Sequence, residues 1–165
     1  MKKSEIIAIK MTPEQIEESK TLIKYGALKD SILKGEGNKY SAIGQIAVRD
    51  YFKEEDIEHK QTANYNFIIN GKKVAVKTKS TNRFPEEHYN CSVALPSINQ
   101  KCDVYFFCRT LENLSMVFLI GWIEKEKFDK ISFLLKEGEK DGPKFTAKGN
   151  CMNVRVFQLI PFQRK

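Results

Sequence analysis

An α/β sandwich is the fold class this sequence predicts, and three observations predict it. A helix with clear start signals stands near the front of the chain. A β-hairpin with an Asn-Gly turn follows, and two almost continuous apolar runs lead into a last amphipathic segment. With 165 residues, 41% of them hydrophobic, the chain is long enough for one real core and short for two, so residues 1–165 are read as a single domain.

Residues 5–10 (EIIAIK) form a short apolar run that fits either an edge strand or the lead-in to a helix. At Thr12-Pro13-Glu14-Gln15 the start of a helix is explicit: Thr12 can cap, Pro13 suits the first helical position and Gln15 closes a capping box. That helix carries Ile16, Ile23 and Ala27 and should end before Gly35-Glu36-Gly37-Asn38. A second helix is predicted over about 40–52, with Ile43, Ile46, Ala47 and Phe52 on one face and Gly44 permitting close approach of a neighbour. Residues 53–63 are charged and loop-like. Beyond the hairpin, 91–95 reads as a short strand, and 103–110 and 115–122 as strands buried on both faces and paired across the turn at 111–114. Residues 124–135 then predict a helix with Phe128, Ile131 and Leu135 in its stripe, 138–143 a loop, and 145–162 short strands through Val154, Val156 and Leu159.

The hairpin, 64–79 (NYNFIINGKKVAVKTK), carries the chemistry. Asn70-Gly71 supplies two residues able to adopt positive φ, and Phe67, Ile69, Val74 and Val76 alternate on either side of it. With Asn70 and Gly71 as the loop, position 67 pairs with 74 and 66 with 75. Asn66 then faces Ala75, and Lys77 projects from the same side of the sheet as Ala75. If carboxylates filled the first two positions, such a patch would hold a divalent cation while the ammonium oriented water or neutralised charge on a phosphate.

The spacing N-x8-A-x-K resembles D-xn-(D/E)-x-K, the active-site hairpin of the PD-(D/E)XK nuclease superfamily, and Ala42-Ile43-Gly44-Gln45-Ile46-Ala47-Val48 is similar to the segment from which many members supply a further acid. With the strand CDVYFF and the passage LIGWIEKE, the layout over 41–153 looks like small phage-type members. The resemblance implies a restriction-endonuclease-like fold, a mixed central sheet flanked by helices. It also implies a cytoplasmic protein of phage or bacterial origin, and in active members a magnesium-dependent DNA endonuclease. The positions matching the family site are Gln45, Asn66, Ala75 and Lys77, with the acids replaced at the first three. A methyl group and two neutral amides retain a hard cation poorly, so no metal site and little or no cleavage are expected of the chain as written. An engineered inactive nuclease and a natural pseudonuclease both account for this. Glu54, Glu55, Asp56, Glu86, Glu87 and Asp103 are the acids within reach of a rescue role, Asp103 the poorest candidate because strand-initiating aspartates usually cap.

A net charge of +7 and a pI near 9.2 favour a polyanionic partner, nucleic acid, with ordinary solubility as the alternative; that the nucleic acid is DNA is what the resemblance implies. Lys72, Lys73, Lys79 and Arg83 are the candidate nucleic-acid contacts: five basic residues and no acid lie between Lys72 and Arg83, and 77–85 reads as a phosphate-tracking loop with Phe84 and Tyr89 as stacking faces. Four cysteines without CxxC spacing and two histidines argue against zinc, and the thiols read as reduced and structural. No run approaches a membrane span, and no apolar leader stands at the front. The alternative function is a protein-interaction or inhibitor module that reuses the fold, with Tyr89 or Trp122 in an interface; a homodimer and a protein partner are therefore both open.

Overall fold

The computed structural model describes residues 5–23, 38–61, 66–143 and 145–164. Within them the chain is mixed α/β. Six strands form the main sheet in the order β1 (Ile7–Lys10), β7 (Met116–Glu124), β6 (Val104–Leu111), β4 (Lys72–Thr81), β3 (Phe67–Ile69), β2 (Lys60–Gln61). Only the central β4–β6 pair is parallel. A second, three-stranded sheet joins β5 (Asn90–Ala94), β11 (Cys151–Arg155) and β8 (Phe133–Leu135), and β9 (Lys140–Asp141) pairs with β10 (Phe145–Thr146) in a small hairpin.

The first helix, α1 (Pro13–Ile23), begins with the expected reciprocal cap: Gln15 N donates to Thr12 Oγ1 at 3.1 Å and Thr12 N donates to Gln15 Oε1 at 2.8 Å. Its expected continuation past Ile23, including Ala27, lies outside the described residues. The second, α2 (Asn38–Glu54), lays Ile43, Ile46, Ala47 and Phe52 on the sheet face made by Val74, Val76, Phe106 and Cys108. Gly44 is what allows this approach, since a Cβ there would lie 1.9 Å from Oγ1 and 2.9 Å from Cβ of Thr78. On the opposite face, Ala75, Tyr105, Phe107, Phe118 and Ile120 pack beneath the second sheet and Phe128 of α3 (Lys125–Ile131). The main sheet is thus covered by helices on one side and by a small sheet plus a helix on the other.

Four expectations are corrected. Residues 138–143 are not all loop, since Lys140–Asp141 pairs with Phe145–Thr146. Residues 77–81 are not loop: β4 runs on to Thr81, because each residue from Val74 finds a partner along β6, ending with Ser80↔Thr110 and Thr81↔Leu111. The helix expected over 124–135 stops at Ile131, because Ser132 turns extended (φ −70°, ψ 153°) and 133–135 joins the second sheet against β11. Val156 and Leu159 do not extend a strand. Val156–Gln158 is a 3-10 turn that brings Ile160 back to bridge Trp122.

Candidate functional site

The hairpin forms in the expected register. Asn70 and Gly71 both take positive φ (50° and 76°), and Phe67↔Val74, Ile68↔Lys73 and Ile69↔Lys72 pair across the strands. One residue before β3, Asn66 sits level with Ala75. Its side chain turns to the neighbouring strand, where Oδ1 accepts a 2.6 Å hydrogen bond from the Val76 N–H. The amide thereby extends the ladder by one bond beyond the end of β3.

Ala75 is fully buried, and its partner on β6 is Tyr105. The Tyr105 hydroxyl is buried beside the Cys102 thiol without a hydrogen bond of regular geometry, and burial pushes its pKa up. Two residues along β4, Lys77 Nζ lies 5.8 Å from the centroid of the Tyr105 ring and donates to Gln100 Oε1 at 2.8 Å. Burial holds the Lys77 pKa below the ordinary lysine value. Its hydrogen-bond partner is a neutral amide, which brings no opposite charge and offsets the desolvation only in part.

Gln45 stands apart from this group. It is on α2, on the sheet face shared by Val74, Val76 and Thr78, whereas Ala75 and Lys77 project from the other; its Nε2 donates to Ser41 Oγ at 3.3 Å within its own helix. The acids considered for rescue are placed elsewhere as well. Asp103 fastens the hairpin to β6, accepting from Lys73 N through Oδ2 at 2.8 Å while its own N–H donates to Lys73 O at 2.7 Å. Glu86 lies between Arg83 and His88. Glu54 closes α2, and Glu55 and Asp56 form the turn after it. Among the described residues no group of three or more His, Cys, Asp or Glu side chains is gathered so as to hold a metal ion.

The four basic candidates do not form one surface. Lys72 and Lys73 are exposed at the hairpin turn and Arg83 is exposed past the other end of β4, about 30 Å away by the rise of a strand. Lys79 is partly buried between the two sheets. Its Nζ donates to Ser92 Oγ at 3.0 Å and lies 4.4 Å from the Phe145 ring centroid. Of the aromatics expected to stack on bases, Phe84 packs edge-on against Phe118 in the core, and Tyr89 lies under the guanidinium of Arg109. Trp122, like Tyr89, is half-buried.

Several polar residues here were not singled out from sequence. Arg109 carried a signal, a cation inside the apolar run VYFFCRTL, which only a buried polar network tolerates. Gln100, Ser92 and Asn153 carried none, since loop glutamines and strand serines are ordinary surface residues. All four cysteines are free thiols, three of them buried. No described helix is long and apolar enough to cross a membrane.

No protein-family model matches the chain, and no curated protein does.

Proposed function

We propose that the chain is a degenerate PD-(D/E)XK protein, a restriction-endonuclease-like scaffold that binds DNA and has lost the acids that would hold magnesium. The observation that carries this reading is the surroundings of Ala75. On the same face of the sheet as that small buried residue, its register partner Tyr105 has a buried hydroxyl without a regular acceptor, and Lys77, two residues along β4, donates to the neutral amide of Gln100. A carboxylate at position 75 would put a charged acceptor on the face that carries both donors. The tight hairpin turn, the 66/75 register and the central parallel β4–β6 pair support the same scaffold.

The residues present do not fit a magnesium ion. Ala75 has no donor atom, Asn66 Oδ1 is committed to the Val76 N–H, and Lys77 adds positive charge. In this reading the chain uses its scaffold and its net charge of +7 to bind DNA without cutting it.

The test is cleavage of supercoiled plasmid in magnesium and in manganese, together with a gel shift, on the chain as written, on Asn66→Asp/Ala75→Glu, and on that pair with Gln45→Glu. The expected outcome is a DNA shift by all three and cleavage by the two restored chains at similar rates, because Gln45 stands on the other face of the sheet. If no chain shifts or cuts DNA, the proposal fails, and competition by unrelated DNA against a protein partner becomes the discriminating measurement.

A further inference from the structure

On the face of the main sheet that carries Lys77, the next position along β4 is Lys79, and its register partner on the parallel strand β6 is Arg109. Two cations therefore lie side by side beneath β5 and β11. Arg109 is 9% exposed. Its terminal nitrogens donate to two backbone carbonyls, Ser80 O at 3.3 Å and Asn90 O at 2.7 Å, and its Nε–H is buried without a partner. Lys79 Nζ donates to the Ser92 hydroxyl, which itself donates to Asn153 Oδ1.

Charge is what this cluster fails to balance among the described residues. The carboxylate that acts on Lys79 is Asp141, and it is already engaged by the Arg155 guanidinium through both oxygens and by Asn90 Nδ2. The thiol beside both cations, Cys91, is no substitute, since burial pushes it up to about 11 and keeps it protonated. Burying unpaired charge costs several kcal/mol per ion, and two such ions on neighbouring strands repel each other as well. The unused Nε–H of Arg109 adds a charge-assisted donor of the kind that tetrahedral oxyanions take, while the single Ser92 O–H is already given to Asn153 Oδ1.

We propose that Lys79 and Arg109 form a binding site for a doubly charged tetrahedral oxyanion, the class of inorganic phosphate, sulfate and terminal phosphomonoesters. Two uncompensated positive charges match a dianion better than an internal phosphodiester, which carries one negative charge. Without such an anion Lys79 lowers its own charge instead, its pKa being pushed down to about 8 by burial and by Arg109. This inference does not rest on the nuclease reading and is tested on the chain as written, with Ala75 in place.

The experiment titrates inorganic phosphate into the protein at constant ionic strength, with chloride as the balancing anion. It follows the Arg109 Nε–H resonance by NMR and binding by calorimetry. Saturable binding that moves this resonance, weakened about tenfold or more in Lys79→Met, is the expected result. An oligonucleotide with a 5′-phosphate is then compared with the same sequence ending in a hydroxyl. Displacement of phosphate by the first alone makes a nucleic-acid end the source, and displacement by neither makes free phosphate the source; either outcome supports the site. An unmoved Arg109 resonance in the unmodified protein overturns the proposal. So does a folded Lys79→Met that binds phosphate as tightly. Should Lys79→Met fail to fold, the Arg109 resonance decides alone.

Discussion

The two faces of β4 are built from alternate residues of one strand and have opposite characters. Val74, Val76 and Thr78 lie under α2 in a close-packed layer, while Ala75, Lys77 and Lys79 face the second sheet amid hydroxyls, amides and cations. On the α2 side the limit is volume; on the other it is charge. A strand of period two can hold both because each face is fixed independently by what packs on it.

Breaking the volume-limited face gives the largest effect. Gly44→Ala would put a Cβ 1.9 Å from Thr78 Oγ1 and 2.9 Å from Thr78 Cβ, so the helix must lift or the strand must shift. We expect a loss of about 3 kcal/mol in urea denaturation. Thr78→Ala alone should be close to neutral, because the Thr78 hydroxyl is buried without a partner. Combined with Gly44→Ala it should restore part of the loss, and a strictly additive double mutant would show that α2 and β4 are not coupled through this contact.

On the charge-limited face the same kind of truncation should stabilise. Lys79 titrates at about 8 in the fold, below the ordinary lysine value. The unfolded chain therefore binds more protons between these values, and stability rises with pH across that window. Equivalently, the burial cost is fully present below pH 8. Lys79→Met, which keeps the stem against Phe145, is expected to gain about 1–3 kcal/mol at pH 7 in buffer free of phosphate and sulfate, with the gain shrinking towards pH 10. Denaturation midpoints at the two pH values check this, and a variant destabilised at both would show that the Ser92 hydrogen bond outweighs the charge.

A smaller effect is expected where the hairpin ends. Asn66→Ala removes the acceptor of the Val76 N–H and should cost about 1–2 kcal/mol, with faster exchange of the Val76 amide. Asn66→Asp keeps an acceptor and should preserve the protection. Equal exchange in all three would mean that water replaces the side chain without loss.

What the sequence made legible follows the same division. The hairpin register could be read because Asn70-Gly71 and the alternation of Phe67, Val74 and Val76 are local signals, and β6 and β7 because long apolar runs have few other uses. Residues 124–135 misled because Phe128, Ile131 and Leu135 fit a helical stripe, while the competing pairing of 133–135 with β11 is non-local. Lys79 read as a surface loop for a related reason. Nothing near it in sequence announces that β5 and β11 will cover it. The side of the sheet on which α2 settles, and with it the separation of Gln45 from Lys77, is likewise decided by packing between distant segments.

The balanced ionic cluster at the rim of the helical layer completes the contrast. Arg49 holds Glu18 of α1 through both oxygens and also bonds Asp50, to which Gln15 Nε2 donates at 2.7 Å. Hydrogen bonding to Arg49 holds the Glu18 carboxyl below the ordinary glutamate range, and the Arg49 and Gln15 bonds outweigh desolvation to hold Asp50 below the aspartate range. A depressed carboxyl stabilises the fold above its unfolded pKa and loses that contribution as pH falls through the folded value, so this cluster should weaken below about pH 4. Because Glu18 is partly exposed, Arg49→Met is expected to cost only about 0.5–1 kcal/mol at pH 7, less in high salt, and to flatten the acid limb of the stability curve. An unchanged acid limb would place the acid sensitivity in Asp141 instead, whose carboxyl is lowered by Arg155 on the opposite side of the molecule. The two ionic groups would then have exchanged roles: the one beside the unbalanced cations would govern stability as well as charge.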